Sequence, residues 1–191
     1  MLIVIPIFDR LTAPDAVGPY EILSRIPGAS VQFVAAEPGE KRDDRGSLGL
    51  TADTGLDEVP RCEVVLVPGG PGHLAAAKDE RLCDWLRAVD ATTTFTTSVC
   101  TGSLILGAAG LLKRRRATTH WLSVEHLREH GLIHDNSRVV TDGKYITAAG
   151  GVLRHRHGLD LDRTSGGRPH RTGHPVERRV RPPATVHGGQ P

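Results

Sequence analysis

Thr96-Thr97-Ser98-Val99-Cys100-Thr101-Gly102-Ser103-Leu104-Ile105-Leu106-Gly107 reads as a strand, a sharp turn and a helix, with Cys100 on the turn. The residues before Cys100 are largely β-branched and of strand length. Gly102 lets another backbone approach closely. The arrangement has the geometry of a nucleophile elbow, although its letters are not those of the hydrolase serine motif. A thiol at a helix start feels the positive end of the dipole and the free amide N–H groups. Both favour the thiolate, which is the nucleophilic form. Inert burial is the commoner fate of a free cysteine, and local sequence leaves the two readings level. Cys62 and Cys83 lack a glycine-rich turn and read as packing residues.

Moving outward, three apolar runs also read as strands: Leu2-Ile3-Val4-Ile5-Pro6-Ile7-Phe8, Val31-Gln32-Phe33-Val34-Ala35-Ala36 and Glu63-Val64-Val65-Leu66-Val67. Helical patterns fall at residues 14–25, 80–89, 101–112 and 121–130. Continuous apolar strands alternating with helices predict an α/β fold, doubly wound, with a mostly parallel sheet flanked by helices in the flavodoxin-like manner. Val139 to Thr147 predicts a hairpin, with Asp142-Gly143 in a type I′ turn.

Ligands of such sheets sit beyond the carboxyl ends of the strands. The run Pro68-Gly69-Gly70-Pro71-Gly72 follows one of them. Its consecutive glycines allow backbone N–H groups to face an anion, so Gly70 is a candidate oxyanion donor and Gly69 a candidate lining of the substrate pocket. The lysine and hydroxyl residue of a phosphate loop are absent. Asp15, in Pro14-Asp15-Ala16-Val17-Gly18-Pro19, reads either as a helix N-cap or as a carboxyl facing the thiol. In the second case burial and a neighbouring thiolate raise its pKa and make it a proton donor at neutral pH. His120-Trp121 reads as a half-buried helix start, with pocket lining as the alternative. His126 and His130 share a helical spacing, but no third ligand of matching type lies nearby, so no metal is expected.

Composition bounds the rest. The chain has 191 residues, net charge +2 and only seven aromatics, with no apolar run long enough for a bilayer. Three cysteines at wide spacing do not form a disulfide framework. The opening lacks the parts of a signal peptide, which predicts a cytoplasmic protein. Arg114-Arg115-Arg116 has no interleaved aromatics, so neither a nucleic-acid nor a membrane partner is expected.

Five segments together resemble the ThiJ/PfpI superfamily, whose fold is that of class I glutamine amidotransferases. They are Asp15-Ala16-Val17-Gly18-Pro19-Tyr20-Glu21, Val67-Pro68-Gly69-Gly70-Pro71-Gly72, Val99-Cys100-Thr101-Gly102, Thr118-Thr119-His120-Trp121 and Thr147-Ala148-Ala149-Gly150-Gly151-Val152. The combination is most similar to the isocyanide hydratase branch. That resemblance implies a homodimer without metal or organic cofactor, acting on a small molecule. It implies Cys100 as nucleophile, Asp15 as general acid/base, and backbone N–H groups around Gly70 and Thr101 at the reacting centre. The reaction implied is hydration of an isocyanide to an N-substituted formamide through a thioimidate. The peptidase branch has histidine after the nucleophile, where this chain has Thr101. The second reading is a stress-response carbonyl-repair protein using the same cysteine, although that branch carries glutamate where Asp15 stands. The third is a non-catalytic ligand-binding domain.

The resemblance covers residues 1–152. Residues 153–191 form an Arg/Pro/Gly/His-rich tail, which holds eight arginines, five histidines and no aromatic. The family continues with a turn and helix reading roughly SAGIDMAL. Advancing the reading frame of Leu153 to Gly158 by one base permits SGIDMG. The tail is therefore expected to be a frame slip after Val152, and otherwise a basic disordered segment. A chain ending this way is expected to lack two helices that cover the sheet, and so to be poorly soluble or weakly active.

Overall fold

The computed structural model describes residues 1–150. Along the chain lie β1 (Leu2–Pro6), α1 (Ala13–Leu23), β2 (Ser30–Ala35), β3 (Gly39–Arg42), β4 (Gly49–Ala52), β5 (Thr54–Gly55), β6 (Val64–Val67), α2 (His73–Ala76), α3 (Glu80–Asp90) and β7 (Phe95–Val99). There follow α4 (Gly102–Ala108), β8 (Arg116–Ala117), α5 (Val124–Glu129), β9 (Ile133–His134), β10 (Val139–Asp142) and β11 (Tyr145–Ala148).

Seven of these strands form one sheet in the order β10-β11-β7-β6-β1-β2-β5. Every neighbouring pair is parallel except β10 and β11. From β1 the chain winds first to β2 on one side and later to β6 on the other. The topological switch point therefore lies between β1 and β6, where sheets of this type open a crevice.

Side chains alternate across the sheet and feed two apolar clusters. Val65 and Val67 join Val4, Leu86 and Leu104–Leu106 in one cluster, while Leu66 joins Ile5, Ile7, Leu11 and Val99 in the other. Burying each such side chain contributes roughly 1.5–3 kcal/mol. Helix α3 shows how sequence dictates an element. Asp79 caps it by accepting the N–H groups of Arg81 and Leu82. Leu82, Trp85, Leu86 and Val89 bury one face, and the Trp85 indole donates to the Val59 carbonyl at 2.8 Å. At its end, Asp90 accepts from Thr96 Oγ1 at 2.6 Å and from the Tyr145 hydroxyl at 3.0 Å, with Lys144 Nζ 3.2 Å away. This polar knot ties α3 to the starts of β7 and β11, at the end of the sheet away from the crevice.

The predicted α/β architecture is the observed one, with local corrections. Helix α4 stops at Ala108 rather than near residue 112, because Gly110 takes a positive φ of 80° and turns the chain. The stretch predicted helical at 121–130 begins as a 3-10 turn, Trp121–Ser123, before α5. The hairpin forms, but Asp142 pairs with Tyr145, so its two-residue loop is Gly143-Lys144. Only Gly143 has positive φ there, which excludes the expected type I′ turn. The boundary after Val152 and the reading of the tail lie outside the described residues. No helix of the described residues is long and apolar enough to cross a membrane.

Candidate active site

The carboxyl ends of β1, β6 and β7 meet at the switch point, and backbone hydrogen bonds stitch their loops together. Thr12 N–H donates to the Gly69 carbonyl at 2.9 Å, and Gly72 N–H donates to the Arg10 carbonyl at 3.0 Å. Cys100 N–H donates to the Ala148 carbonyl of β11 at 2.8 Å. Asp15, Gly69, Gly70, Cys100 and Thr101 are thereby brought into one region.

Cys100 sits between β7 and α4 with φ 58°, in the left-handed region that a residue with a Cβ rarely adopts. Holding a non-glycine residue there costs about 1–3 kcal/mol and requires surroundings that over-determine it. Those surroundings are visible. A Cβ placed on Gly69 would lie 2.7 Å from Cys100 Cβ and 2.6 Å from Thr101 N. One placed on Gly150 would lie 2.5 Å from Cys100 Cβ. Only glycine fits on either side of this turn. The Cys100 carbonyl accepts from Thr119 Oγ1 at 3.0 Å and from Ser103 Oγ at 3.4 Å.

Asp15 occupies the first turn of α1 and is 2% exposed. It is not the cap of that helix, a role that falls to the position of Thr12, whose carbonyl accepts the Asp15 N–H at 2.9 Å. Its carboxyl interacts with the Cys100 thiol and the Gly69 N–H, while Oδ2 is buried without a hydrogen-bond partner. Burial is the dominant influence and lifts the Asp15 pKa from 3.8 to about 6.

The thiol departs from expectation. Burial, and next the Asp15 charge, push Cys100 up to about 12, against a lowering interaction with the Thr101 N–H. The amides at the start of α4 therefore do not win: desolvation of a 7% exposed sulfur outweighs them. Each group sits in the other's field, so the two titrate as a pair, with the thiol and the carboxyl both raised by their burial. Cys62 is likewise raised, to about 11, by burial and Glu63.

A second correction concerns Gly70. Its N–H is not free for a ligand, because it donates to Thr101 Oγ1 at 2.9 Å. The Thr101 hydroxyl returns a bond to the Gly70 carbonyl at 3.2 Å. This buried clasp welds the double-glycine turn to the turn carrying Cys100. The amides that act on the thiol–carboxyl pair are that of Gly69, on the carboxyl, and that of Thr101, on the thiol.

His120 is half-buried beside Trp121, and its Nδ1 accepts the Leu122 N–H at 3.3 Å, the helix-start geometry favoured from sequence. Its neighbour Thr119 is the residue that touches Cys100. Sequence reasoning quoted Thr119, Thr147 and Gly150 within motifs but gave them no role. Their roles depend on contacts between distant segments, for which one sequence carries no local signal. His73 was also missed: its Nδ1 donates to the Gly70 carbonyl at 2.9 Å, behind the clasp. Burial lowers its pKa. Among the described residues no group of three His, Cys, Asp or Glu side chains is arranged to hold a metal.

Comparison with known proteins finds relatives of this fold. The DJ-1/PfpI family profile matches residues 1–154. Isonitrile hydratase of Pseudomonas putida is 39% identical over 144 residues, a match covering 75% of this chain and 63% of that protein. Protein DJ-1 homolog A of Arabidopsis thaliana is 30% identical over 152 residues, covering 76% of this chain and 38% of that protein. A solved ThiJ/PfpI family protein from Pseudomonas syringae superposes with a TM-score of 0.75 at 36% identity, covering 78% of this chain and 62% of that one. The chain thus spans less than two thirds of each of these relatives.

Proposed function

The chain belongs to the DJ-1/PfpI family, and on that premise we propose that it hydrates isocyanides to N-substituted formamides, with Cys100 as nucleophile and Asp15 as proton carrier. The observation that carries the reading is the buried thiol–carboxyl pair on a strained turn, in a chain similar to an isonitrile hydratase.

The chemistry follows from the resting proton. Burial and mutual charge leave the sulfur and the carboxyl holding a proton between them. As sulfur attacks the terminal isocyanide carbon, a C–S bond forms and the thiol proton passes to Asp15. With its pKa near 6, Asp15 is a competent acceptor and then a competent donor. It delivers the proton to the same carbon, giving an N-substituted thioimidate. Water adds to that carbon, with Asp15 taking one of its protons while the nitrogen gains one. The C–S bond then breaks, sulfur recovers a proton and the formamide leaves. One isocyanide and one water give one formamide, with no change of oxidation state that would need a co-reactant. Splitting one difficult addition into two easier steps is the usual benefit of covalent catalysis. The N–H groups of Gly69 and Thr101 hold the two reacting side chains. The family reading also carries a cytoplasmic homodimer that acts on a small molecule.

The test is turnover of a simple aryl isocyanide, with methylglyoxal as the competing carbonyl substrate. Formamide should accumulate with wild type and be lost, by 10³-fold or more, in Cys100→Ala and Asp15→Asn. Asp15→Asn should remain open to thiol alkylation. Turnover of methylglyoxal alone would favour the carbonyl-repair reading. Isocyanide turnover that survives Cys100→Ala would end the proposal.

A further inference from the structure

The Cys100–Thr101 peptide is planar and trans, so its carbonyl oxygen and its N–H leave opposite sides of one rigid unit. The oxygen is held from outside the turn. Thr119 Oγ1 donates to it at 3.0 Å, from a segment 19 residues further along the chain. Ser103 Oγ, one helical turn on, adds only a longer contact of 3.4 Å. At the other end of the unit, the Thr101 N–H interacts with the Cys100 sulfur. Thr119 is 2% exposed and its segment is itself anchored, because Thr118 N–H donates to Thr147 Oγ1 of β11 at 2.9 Å. A hydroxyl anchored to the sheet thus holds the peptide unit that joins Cys100 to Thr101.

We propose that Thr119 is a positioning residue for Cys100: its hydroxyl grips the Cys100 carbonyl, and by doing so aims the Thr101 N–H at the sulfur as negative charge develops there. Thr119 touches no substrate atom in this role. Without that hydroxyl the Cys100 carbonyl keeps only the longer Ser103 contact, and the peptide unit holds its N–H less firmly against the sulfur during attack. The inference rests on Cys100 being the nucleophile, and goes beyond it by assigning how the turn is tuned.

The test reads the thiol directly and needs no natural substrate. Second-order rates of iodoacetamide alkylation at Cys100, located by peptide mass, are measured at one pH for wild type, Thr119→Val, Thr119→Ala and Thr119→Ser. Cys100→Ala serves as the blank for Cys62 and Cys83. Loss of one hydrogen bond to a developing charge should slow the valine and alanine variants roughly fivefold or more. The serine variant should stay within about twofold of wild type, and kcat for the isocyanide should fall with KM little changed. Valine and alanine variants that react like wild type would overturn the proposal. So would a serine variant as slow as the valine one. If both valine and alanine variants fail to fold while the serine variant folds, Thr119 is a structural residue and the positioning role falls. A wild-type Cys100 that resists alkylation would instead bring down the nucleophile reading itself.

Discussion

Burial that lifts the Asp15 pKa from 3.8 to about 6 also sets the sign of its effect on stability. Between pH 4 and 6 the folded chain keeps a proton that the unfolded chain releases. Stability from this group is therefore fully present below pH 4 and is lost as pH rises through about 6. The loss at neutral pH amounts to about 3 kcal/mol. Asp15→Asn removes the ionisation and should stabilise the fold at pH 7 by about 2–3 kcal/mol, a gain that shrinks towards zero at pH 4. Urea unfolding at the two pH values checks this. A variant no more stable than wild type at pH 7 would show that the carboxyl is better solvated than its 2% exposure indicates. Stability gained with activity lost is the mark of a residue kept for chemistry. The carboxyl's raised pKa was legible in the sequence, from an Asp in an apolar Pro-rich turn. The thiol's was not, because the sequence reveals the helix start but not how deeply the sulfur is sunk.

Elements were legible where burial is two-sided. The runs that became β1 and β6 are near-continuous apolar stretches, β7 is rich in β-branched threonine, and α3 is amphipathic with an aspartate cap. The β3–β4 hairpin and the two-residue strands β5, β8 and β9 carry mixed polar residues and were not foreseen. Their positions follow from what they pair with: the chain around Asp43 bridges to Leu11, for example, and Asp44 N–H donates to the Leu11 carbonyl at 2.9 Å. Between elements, one close approach at the site is the Gly69 turn against the turn of Cys100. Gly69→Ala forces backbone to move, since the new methyl would sit 2.6 Å from Thr101 N. It should cost about 1–3 kcal/mol of stability and slow Cys100 alkylation at least tenfold. Normal alkylation with an unchanged melting temperature would mean the two turns can part without consequence.

At the scale of the whole chain, composition divides the molecule more sharply than its net charge of +2 suggests. The family match ends at residue 154, close to where the basic tail begins. We propose that the tail arises from a one-base slip after Val152, as its back-translation implies. Resequencing the gene and weighing the natural protein decide this: a mass departing from 20.5 kDa is the expected result, and a confirmed frame with that mass refutes it.

The reciprocal bonds between Thr101 and Gly70 also bear on how such a site is inherited. In a chimera with a relative, a crossover between residues 72 and 95 would take the two loops from different parents. A parent lacking a hydroxyl after its cysteine would leave the Gly70 amide stranded in the interior. Recombination within that interval should therefore be penalised, and the two loops are expected to travel as one heritable block.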